Sequence, residues 1–373
     1  MSAGYENFLR NVDKMPLLRD RLRRNNLPRR VIVTGRYPRM WQEAKEKLAK
    51  YGAKTVAFYS PEKMDATEHL GLPILGHDDP RITKLKARMV VVGRPAKKWF
   101  SGAYPELHRC LWFSELEGKK RSGWDMPNIF SEYSEEIELL WNMLEHDPSS
   151  IKILSSILKS RGDGKTGYIN ISEHGEYDHP IVCAKEGDVC IDAGAFQGDT
   201  TLHFASLVGD SGRVYSLEPS PPNFELFNKL VAESPFASRC HSICAGVWNE
   251  PGRVSFDFKD MTGGSSKISE NAEDEIEVKT IDQIVEEKNL TRLDLIKFDV
   301  EGVEKEALEG GKKSIEKYRP KLMVSMYHFD HDLFSLSKLL HNMLPNYQFY
   351  LGHHSYYWTE TDLYCIPKER LVS

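Results

Sequence analysis

Apolar and polar positions alternate in a regular rhythm over residues 29–125, and this rhythm predicts strands that take turns with helices. The run RRVIVTG is rich in β-branched residues, as strands are, and ends at Gly35. The next run, MWQEAKEKLAKYG, has apolar residues at helical spacing and ends at Gly52, which suits a helix C-cap. AKTVAFYS, LPILG and ARMVVVG follow as further strands. This order predicts a parallel sheet, and hence a small Rossmann-like α/β domain.

The same alternation returns from Val189 to the end of the chain and predicts a second, larger α/β domain with a doubly wound sheet. The segment between them has a helical pattern that breaks at Pro148, which is typical of a helical connector. A chain of 373 residues is longer than one core normally serves, so two domains are expected. The predicted segments are an N-terminal helical segment at 1–28, the Rossmann-like domain at 29–125, the connector at 126–165 and the larger domain at 166–373.

Charge and hydropathy narrow the class of protein. The formal net charge is -5, which argues against a dedicated nucleic-acid binder. No apolar run approaches the length that spans a bilayer. The first 30 residues mix acidic residues and arginines with leucines, so we expect no signal peptide there, and a helix packed on its own domain rather than on a membrane surface. The sequence therefore predicts a cytoplasmic protein.

The cysteines predict reduced thiols rather than disulfides or a metal site. The chain has six cysteines and none of them forms a Cys-x-x-Cys pair. Cys240, His241 and Cys244 could be offered as metal ligands, but the segment is predicted to be a strand, which would scatter them over two faces. We therefore predict no metal at these residues.

The loop after the first predicted strand lacks the features of a dinucleotide site. Gly35 is followed by Arg-Tyr-Pro-Arg rather than by further glycines, and Pro38 removes an amide donor. This argues against an oxidoreductase that uses the first domain. The layout of this domain resembles the small Rossmann-like domain that precedes some sugar-modifying enzymes, and would then position a substrate or mediate assembly, including homo-oligomerisation.

The run VCIDAGAFQGDTT predicts a strand, a glycine bend and a helix, with the spacing Asp192-x-Gly194-x-x-x-Gly198. A pyrophosphate would need bare amides and no carboxylate beside them, whereas an acid at the tip of the strand favours a cofactor that carries a positive charge. S-adenosylmethionine has an ammonium and a sulfonium and no phosphate. Asp192 could pair with that charge while Gly194 lets the backbone approach. Asp199 or Thr200 could cap the following helix.

The next strand, RVYSLEPSP, ends at Glu218, about 20 residues past the bend, where a doubly wound fold places the acid that binds the ribose hydroxyls. The following prolines prevent further strand pairing. Alternatively, Asp192 only caps a helix and Glu218 lies on the surface. The predicted cofactor-binding residues are Asp192, Gly194, Ala195, Phe196, Gly198, Asp199, Thr200, Glu218, Pro219 and Asp299.

Two later strands end in chemically active residues. LDLIKFDVEGVE leads into Asp299 and Glu301, and KLMVSMYH leads into His328. Because ligands sit outside the carboxyl ends of strands in open α/β sheets, these three are predicted to line one crevice with Asp192 and Glu218. His328 is the first candidate for a general base, with a purely structural hydrogen-bonding role as the alternative. Asp299 and Glu301 should perturb each other's ionisation, and one of them could orient the substrate.

Three further segments leave alternatives open. His328, Asp330, His331 and Asp332 could bind a divalent ion, but their spacing fits a turn with Asp330 or Asp332 as the helix N-cap, and no metal is predicted. The aromatic stretch after His353 and His354 suits a sugar ring or an exposed hairpin tip. Residues 260–275 could be a mobile flap or a plain hairpin loop. Lys297, inside a strand, is expected to be structural or to pair with a carboxylate.

Taken together, the runs VCIDAGAFQGDTT, VYSLEPSP, LIKFDVEGVEKEALEGG and PKLMVSMYHFDHDLFSL resemble the FkbM family of S-adenosylmethionine-dependent methyltransferases over roughly residues 150 to 370. The resemblance implies a class I methyltransferase fold, a mostly parallel seven-stranded sheet whose last strand is antiparallel. It also implies methyl transfer to a hydroxyl oxygen, often on a sugar or another small molecule. One branch of the family often has a positive residue where this chain has Gly352.

The leading hypothesis is therefore an O-methyltransferase with S-adenosylmethionine as cofactor and a carbohydrate, glycan or other small hydroxylated metabolite as substrate. The alternative is a non-catalytic module in which a retained S-adenosylmethionine site stabilises a scaffold or sensor. The set of Asp299, Glu301 and His328 favours the enzyme.

Overall fold

The computed structural model describes residues 3–12, 29–34, 38–50, 52–60, 64, 66–76, 79–91, 111–112, 126, 128–163, 168–257, 267–268, 274–355 and 357–371. The chain divides into two compact units. The first unit comprises Met1–Glu138, Ile151–Ser172 and His353–Thr359. The second comprises Leu139–Ser150, Glu173–Gly352 and Glu360–Ser373.

A mostly parallel sheet organises the first unit, as the alternating pattern predicts. The strands are β1 (Arg30–Thr34), β2 (Lys54–Tyr59), β3 (Glu68–His69), β4 (Leu72–Leu75), β5 (Arg88–Val91) and β6 (Leu111–Trp112), and their order is β3-β4-β2-β1-β5-β6. The helices described here are α1 (Ala3–Val12), α2 (Pro38–Lys50) and α3 (Arg81–Lys84). All pairs along β4-β2-β1-β5-β6 are parallel, and only β3 runs antiparallel, to β4.

The apolar face of α2 explains why it covers this sheet. Trp41 and Leu48 are buried, and the Trp41 ring stacks on Phe58 of β2 with centroids 5.0 Å apart. Gly52 ends the helix as predicted, since its amide donates to the Ala49 carbonyl and its φ is +79°. The N-terminal helix α1 also packs within its own unit, where its Phe8 ring lies 6.0 Å from the ring of Phe130.

Three helices follow in the segment predicted to be helical. They are α4 (Ile129–Glu132), α5 (Ser134–Leu144) and α6 (Pro148–Asp163). The predicted break is present, because α5 ends before Asp147 and α6 begins at Pro148. The Asp147 carboxylate accepts hydrogen bonds from the Ser150 amide (2.9 Å) and hydroxyl (2.6 Å), which caps the first turn of α6.

A seven-stranded sheet forms the centre of the second unit. Its strands are β7 (Val189–Ala193), β8 (Arg213–Leu217), β9 (Cys240–Ile243), β14 (Leu295–Phe298), β15 (Lys321–Ser325), β16 (Tyr347–His353) and β17 (Thr361–Pro367), in the order β16-β17-β15-β14-β7-β8-β9. The pairs from β15 to β9 are parallel, and β17, the last strand in sequence, is antiparallel to β15. This confirms the mostly parallel sheet that the resemblance implies.

Helices connect these strands, and a smaller sheet is inserted between β9 and β14. The helices are α7 (Asp199–Leu207), α8 (Pro221–Glu233), α9 (Ile281–Glu287), α10 (Glu304–Glu309), α11 (Lys312–Tyr318) and α12 (Asp332–Met343). The smaller sheet contains β10 (Gly246–Val247), β11 (Gly252–Asp257), β12 (Lys267–Ile268) and β13 (Asp274–Lys279). Most of the predicted flap at 260–275 lies outside the described residues, although β11 and β13 on its two sides do pair antiparallel.

The central strands β7, β14 and β15 are buried almost throughout, because strands in a parallel sheet are covered on both faces. Three charged residues are nevertheless part of them, Asp192 in β7, Lys297 in β14 and Lys321 in β15. Asp192 and Lys297 are direct neighbours in the strand register. Within the part of the chain that the structure describes, no helix has both the length and the apolar character needed to cross a membrane.

Candidate active site

The bend after β7 can be built only with glycine. Gly194 has φ +86°, and a Cβ there would lie 1.9 Å from the Asp299 carbonyl oxygen. Gly198 has φ +91°, and a Cβ there would lie 2.3 Å from the Phe227 ring. The Gly194 and Ala195 amides both donate to the Leu217 carbonyl at the end of β8 (3.1 and 2.8 Å). The bend is therefore held tightly against the carboxyl ends of β8 and β14.

The structure gives Asp192 different partners from those predicted. Its side chain is fully buried within β7 rather than placed free at the strand tip. One carboxylate oxygen lies 3.1 Å from Lys297 Nζ, and the other accepts a hydrogen bond from the Thr201 hydroxyl (2.7 Å). Burial raises the pKa of Asp192, and the Lys297 ammonium opposes that shift. Its charge is thus neutralised inside the protein.

Lys297 connects Asp192 to the glycine bend. Its side chain is 3% exposed, and Nζ donates to the Gly194 carbonyl at 2.6 Å. Nζ also lies 3.8 Å from the Asp299 carboxylate. Burial would lower the pKa of Lys297, but the two carboxylates outweigh it, so the pKa is raised. The pairing expected for Lys297 is therefore present, and it fixes the glycine bend.

Glu218 follows β8 and is almost buried, not a surface residue. Oε2 accepts from the Phe196 amide and Oε1 from the Ser220 amide, both at 2.9 Å. Burial raises the pKa of Glu218, while these two amides favour the ionised form. The Asn223 side chain also hydrogen-bonds to this carboxylate. A carboxylate has about four lone-pair positions, so about one remains for a further donor. Glu218 both anchors the bend and can accept from a ligand hydroxyl.

The helix after the bend begins differently from the prediction. Its N-cap is Gly198, in a left-handed conformation, and neither Asp199 nor Thr200 forms a side-chain cap. Asp199 instead occupies the first turn, where a negative charge is favourable at a helix N-terminus. A different hydroxyl has the closer role: Thr201 donates its hydrogen bond to Asp192 (2.7 Å), and its oxygen lies within hydrogen-bond distance of Ser216 Oγ (2.9 Å). The sequence reasoning missed this residue.

A second cluster gathers at the carboxyl ends of β14 and β15, where the sequence predicts it. His328 Nε2 lies 3.3 Å from Asp299 Oδ1 and 3.6 Å from Glu301 Oε2. Its Nδ1 lies 2.9 Å from Glu304 Oε1, a carboxylate that was not predicted. The Tyr177 hydroxyl, also not predicted, donates to Asp299 Oδ2 at 3.2 Å. His328 is thus surrounded by three carboxylates.

Three pKa values in this cluster move in different directions. Burial would raise the pKa of Asp299, but Lys297 and His328 hold it below the ordinary value. Burial raises the pKa of Glu301 to about 7. Burial would lower the pKa of His328, yet Glu304 and Asp299 raise it well above the ordinary value. The cluster therefore favours an imidazolium at His328 and a carboxyl that ionises near neutrality at Glu301.

The prediction of His328 as a general base conflicts with this environment, because an imidazolium has no lone pair for a proton. Glu301 is better suited: its pKa is about 7 and its side chain is 42% exposed, against 9% for His328. A proton acceptor works best with a pKa near the working pH and within reach of the substrate. Glu301 meets the first condition, and its partly exposed carboxylate is more accessible than the His328 ring.

The described residues contain one group with metal-ligand spacing, Asp299, Glu304 and His328, whose ligand atoms lie within 4.8 Å of one another. Glu304 Oε1 already accepts from the Val300 amide (2.9 Å) and lies 2.9 Å from His328 Nδ1, so the group forms an ion-pair network. Asp332 accepts from the Phe329 amide in a turn, and the N-cap of α12 is His331 rather than Asp330 or Asp332.

The remaining candidates are structural. His353, His354 and Trp358 are buried, so they form neither an exposed sugar-binding face nor an exposed hairpin tip. The Trp358 indole donates to Ser160 Oγ at 2.7 Å. His241 of β9 stacks on Tyr215, with centroids 4.7 Å apart, as expected for a strand residue.

The residues around the bend fit S-adenosylmethionine by the chemistry of their side chains. The cation nearest the bend, Lys297, is buried and paired with Asp192, so it is not available to neutralise a phosphate. The carboxylates of Glu218, Asp299 and Glu301 follow β8 and β14, the two strands that flank β7. Acidic side chains at the carboxyl ends of the strands suit a ligand that carries hydroxyls and a positive charge.

Comparison with known proteins agrees with this description. Residues 192–351 match the family model for the methyltransferase FkbM domain. The structure is similar to methyltransferase FkbM from Methylobacillus flagellatus KT, with a TM-score of 0.62, 21% identity and coverage of 97% of this chain and 99% of that one.

Matches to other structures are partial. They include Aeropyrum pernix fibrillarin in complex with S-adenosyl-L-methionine (TM-score 0.32, 13% identity, 49% of this chain and 67% of that one). Another is a SAM-dependent methyltransferase from Aquifex aeolicus (TM-score 0.31, 12% identity, 49% and 84%). No curated protein sequence matches the chain significantly. The family model therefore identifies residues 192–351 as a methyltransferase FkbM domain, and the fold of the chain is similar to that of a methyltransferase FkbM.

Proposed function

We propose that the protein transfers a methyl group to a hydroxyl oxygen of a carbohydrate or another small hydroxylated metabolite. The observation that carries this proposal is the cluster of Asp299, Glu301 and His328 beside the glycine bend. S-adenosylmethionine supplies an electrophilic methyl group on its sulfonium. Among the predicted cofactor-binding residues, Glu218 would accept a hydrogen bond from a ribose hydroxyl and the Gly194 bend would allow close backbone approach. Asp192 would act indirectly, by holding Lys297 against the bend.

Glu301 takes the role of proton acceptor in this proposal. A hydroxyl becomes a good nucleophile only as it loses its proton, and a positioned base contributes about 10² to 10⁴ in rate. The Glu301 carboxylate is partly exposed and lies 3.6 Å from His328 Nε2, whose positive charge stabilises the ionised form. Asp299, held by Tyr177, Tyr327 and Lys297, orients the donor and acceptor groups around it.

A polyhydroxylated acceptor suits these groups better than a polyanion does. The cluster exposes carboxylate oxygens, which accept hydrogen bonds from sugar hydroxyls, and its cations are engaged within the protein. A phosphate-rich acceptor would meet repulsion from Asp299 and Glu301. The first unit would position the acceptor or mediate assembly.

The test is transfer of labelled methyl from S-adenosylmethionine to a panel of simple glycans and neutral polyols, with nucleotide sugars as the phosphate-bearing comparison, which should be poorer acceptors. Glu301→Gln should lower kcat about 10² to 10⁴-fold while leaving the Kd of S-adenosylhomocysteine unchanged. The matched control is Glu309→Gln, since Glu309 has the same 42% side-chain exposure and lies at the far end of α10.

Two results would count against the proposal. Normal turnover by Glu301→Gln would remove Glu301 as the proton acceptor. Tight cofactor binding without methyl transfer to any member of the panel would favour the non-catalytic scaffold or sensor module instead. Thermal shift with S-adenosylmethionine, its demethylated product and NAD separates that outcome from a misassigned cofactor.

A further inference from the structure

Glu304 joins three separate parts of the second unit through one oxygen. It is the first residue of α10 and its side chain is 1% exposed. Its Oε1 accepts from the Val300 amide at 2.9 Å and lies 3.5 Å from the Gly302 amide. The same oxygen is 2.9 Å from Nδ1 of His328, which follows β15. Glu304 therefore ties the turn that carries Glu301 to the imidazole beside it.

The turn needs such support because its backbone is strained. Glu301 has φ +58° and Gly302 has φ +97°, both in the left-handed region. A non-glycine residue persists there only when its surroundings hold it. Glu304 holds the turn from one side, and the Phe329 ring closes the other, since a Cβ on Gly302 would lie 2.5 Å from it.

The position of Glu304 also decides the state of His328. Nδ1 lies 2.9 Å from Glu304, and Nε2 lies on the side of Asp299 and Glu301. A carboxylate at each ring nitrogen favours a proton on both. Asp332, at the start of α12, adds another negative group to this environment, and Lys297 of β14 lies on the far side of Asp299. An imidazolium in this position cannot accept a proton from the substrate.

We propose that Glu304 is a positioning residue that locks His328 as a cation and thereby makes Glu301, not His328, the proton acceptor. The consequence for turnover rests on the proposed function. The state of the imidazole does not, because it can be measured without substrate or cofactor.

The first experiment is ¹⁵N NMR of the full chain labelled at histidine, with the His328 signals assigned by their loss in His328→Gln. In the native protein both ring nitrogens should be protonated at neutral pH. Glu304→Gln, which keeps the shape of the side chain, should lower the midpoint of His328 titration by about 1 to 3 pH units. Glu309→Gln on the same helix should leave it unchanged. A neutral His328 in the native protein would overturn the proposal, even if Glu304→Gln failed to fold.

The second experiment uses rescue, which a merely structural role would not produce. Glu301→Gln should be nearly inactive, because His328 cannot replace the lost base. In the double variant with Glu304→Gln, His328 can lose its proton, so kcat should recover at least about tenfold over Glu301→Gln, with a pH midpoint equal to that seen by NMR. A double variant no more active than Glu301→Gln would refute the selection of the proton acceptor. If no acceptor is ever methylated, the proposed function fails, while the NMR result still decides the locked imidazole.

Discussion

The two parallel sheets of this protein share an architecture but differ at the carboxyl ends of their strands. In the first unit β1 ends at Thr34, whose hydroxyl donates to the Tyr59 carbonyl at the end of β2. In the second unit the corresponding edge carries Glu218 and Asp299, with Asp192 just below it. A parallel sheet brings strand ends together in both cases. The difference teaches that the chemistry depends on which residues stand at that edge, and not on the fold alone.

Glycines sharpen the same comparison. Gly52 and Gly194 both have positive φ, at +79° and +86°. A Cβ on Gly52 would meet nothing within 4 Å, whereas one on Gly194 would collide with the Asp299 backbone. Gly52 therefore allows only the left-handed backbone turn that ends α2. Gly194 allows a left-handed turn and also the close contact between the ends of β7 and β14.

The largest effect is expected for Gly194→Ala. The new methyl group would separate the bend from the Asp299 carbonyl, so binding of S-adenosylhomocysteine and turnover should both be lost. Overpacking adds about 1 to 3 kcal/mol to the roughly 1 to 2 kcal/mol of left-handed strain. Gly52→Ala should cost the strain alone and leave cofactor binding intact. Calorimetric titration and urea unfolding test both variants, and equal losses in the two would contradict the comparison.

Next in size is Lys297→Met, which leaves Asp192 as a buried carboxylate without its cation. Removing one partner of a buried ion pair costs about 3 to 5 kcal/mol of unfolding free energy. The control is Lys279→Met, which removes an ion pair with the more exposed Glu287 and should cost about 0 to 1 kcal/mol. Urea unfolding of both variants gives the two values. A Lys297 variant as stable as the control would mean that the ion pair between Asp192 and Lys297 does not stabilise the packing of β7 against β14.

A smaller effect is expected from pH. With a pKa of about 7 for Glu301, kcat/KM should rise about fivefold from pH 6 to pH 7 as the carboxylate forms. The same shift acts on stability with the opposite sign. Since the folded pKa lies above the ordinary value of 4.5, the contribution of Glu301 to stability is complete below about pH 4.5 and is lost as pH rises through about 7. A flat activity profile over this range would exclude Glu301 as the titrating base.

The smallest effect is expected for Thr34→Val, at the strand edge of the first unit. It removes one hydrogen bond from a fully buried position and should cost about 1 kcal/mol of unfolding free energy. Methyl transfer and binding of S-adenosylhomocysteine should remain at their native values. A large loss of cofactor binding in this variant would show that the first sheet contributes to the site.

The hydrophobic periodicity of the sequence was sufficient to predict the two parallel sheets. Because the carboxyl ends of parallel strands lie on the same side of a sheet, it also predicted that Asp299, Glu301 and His328 lie close together. They could not predict the pairing of Asp192 with Lys297. That contact depends on the register between β7 and β14, which are distant in sequence. An acid before a glycine bend therefore looked like a free ligand group.

Glu304 was missed for a related reason. It lies in the run DVEGVE, where the turn at Glu301 and Gly302 reverses the chain so that the first residue of α10 faces back to β15. Sequence spacing does not reveal a left-handed turn at a glutamate. An acid in the first turn of a helix was the available signal, and it indicates only a favourable helix terminus.

The contact between Gly194 and the Asp299 carbonyl has a consequence for altering what the enzyme accepts. The loop at Gly194 and the loop at Asp299 are in van der Waals contact through their backbones. Neither loop can therefore be lengthened or rebuilt without a matching change in the other. Libraries aimed at new acceptors should therefore leave 299–302 untouched, together with Phe329, whose ring packs against Gly302.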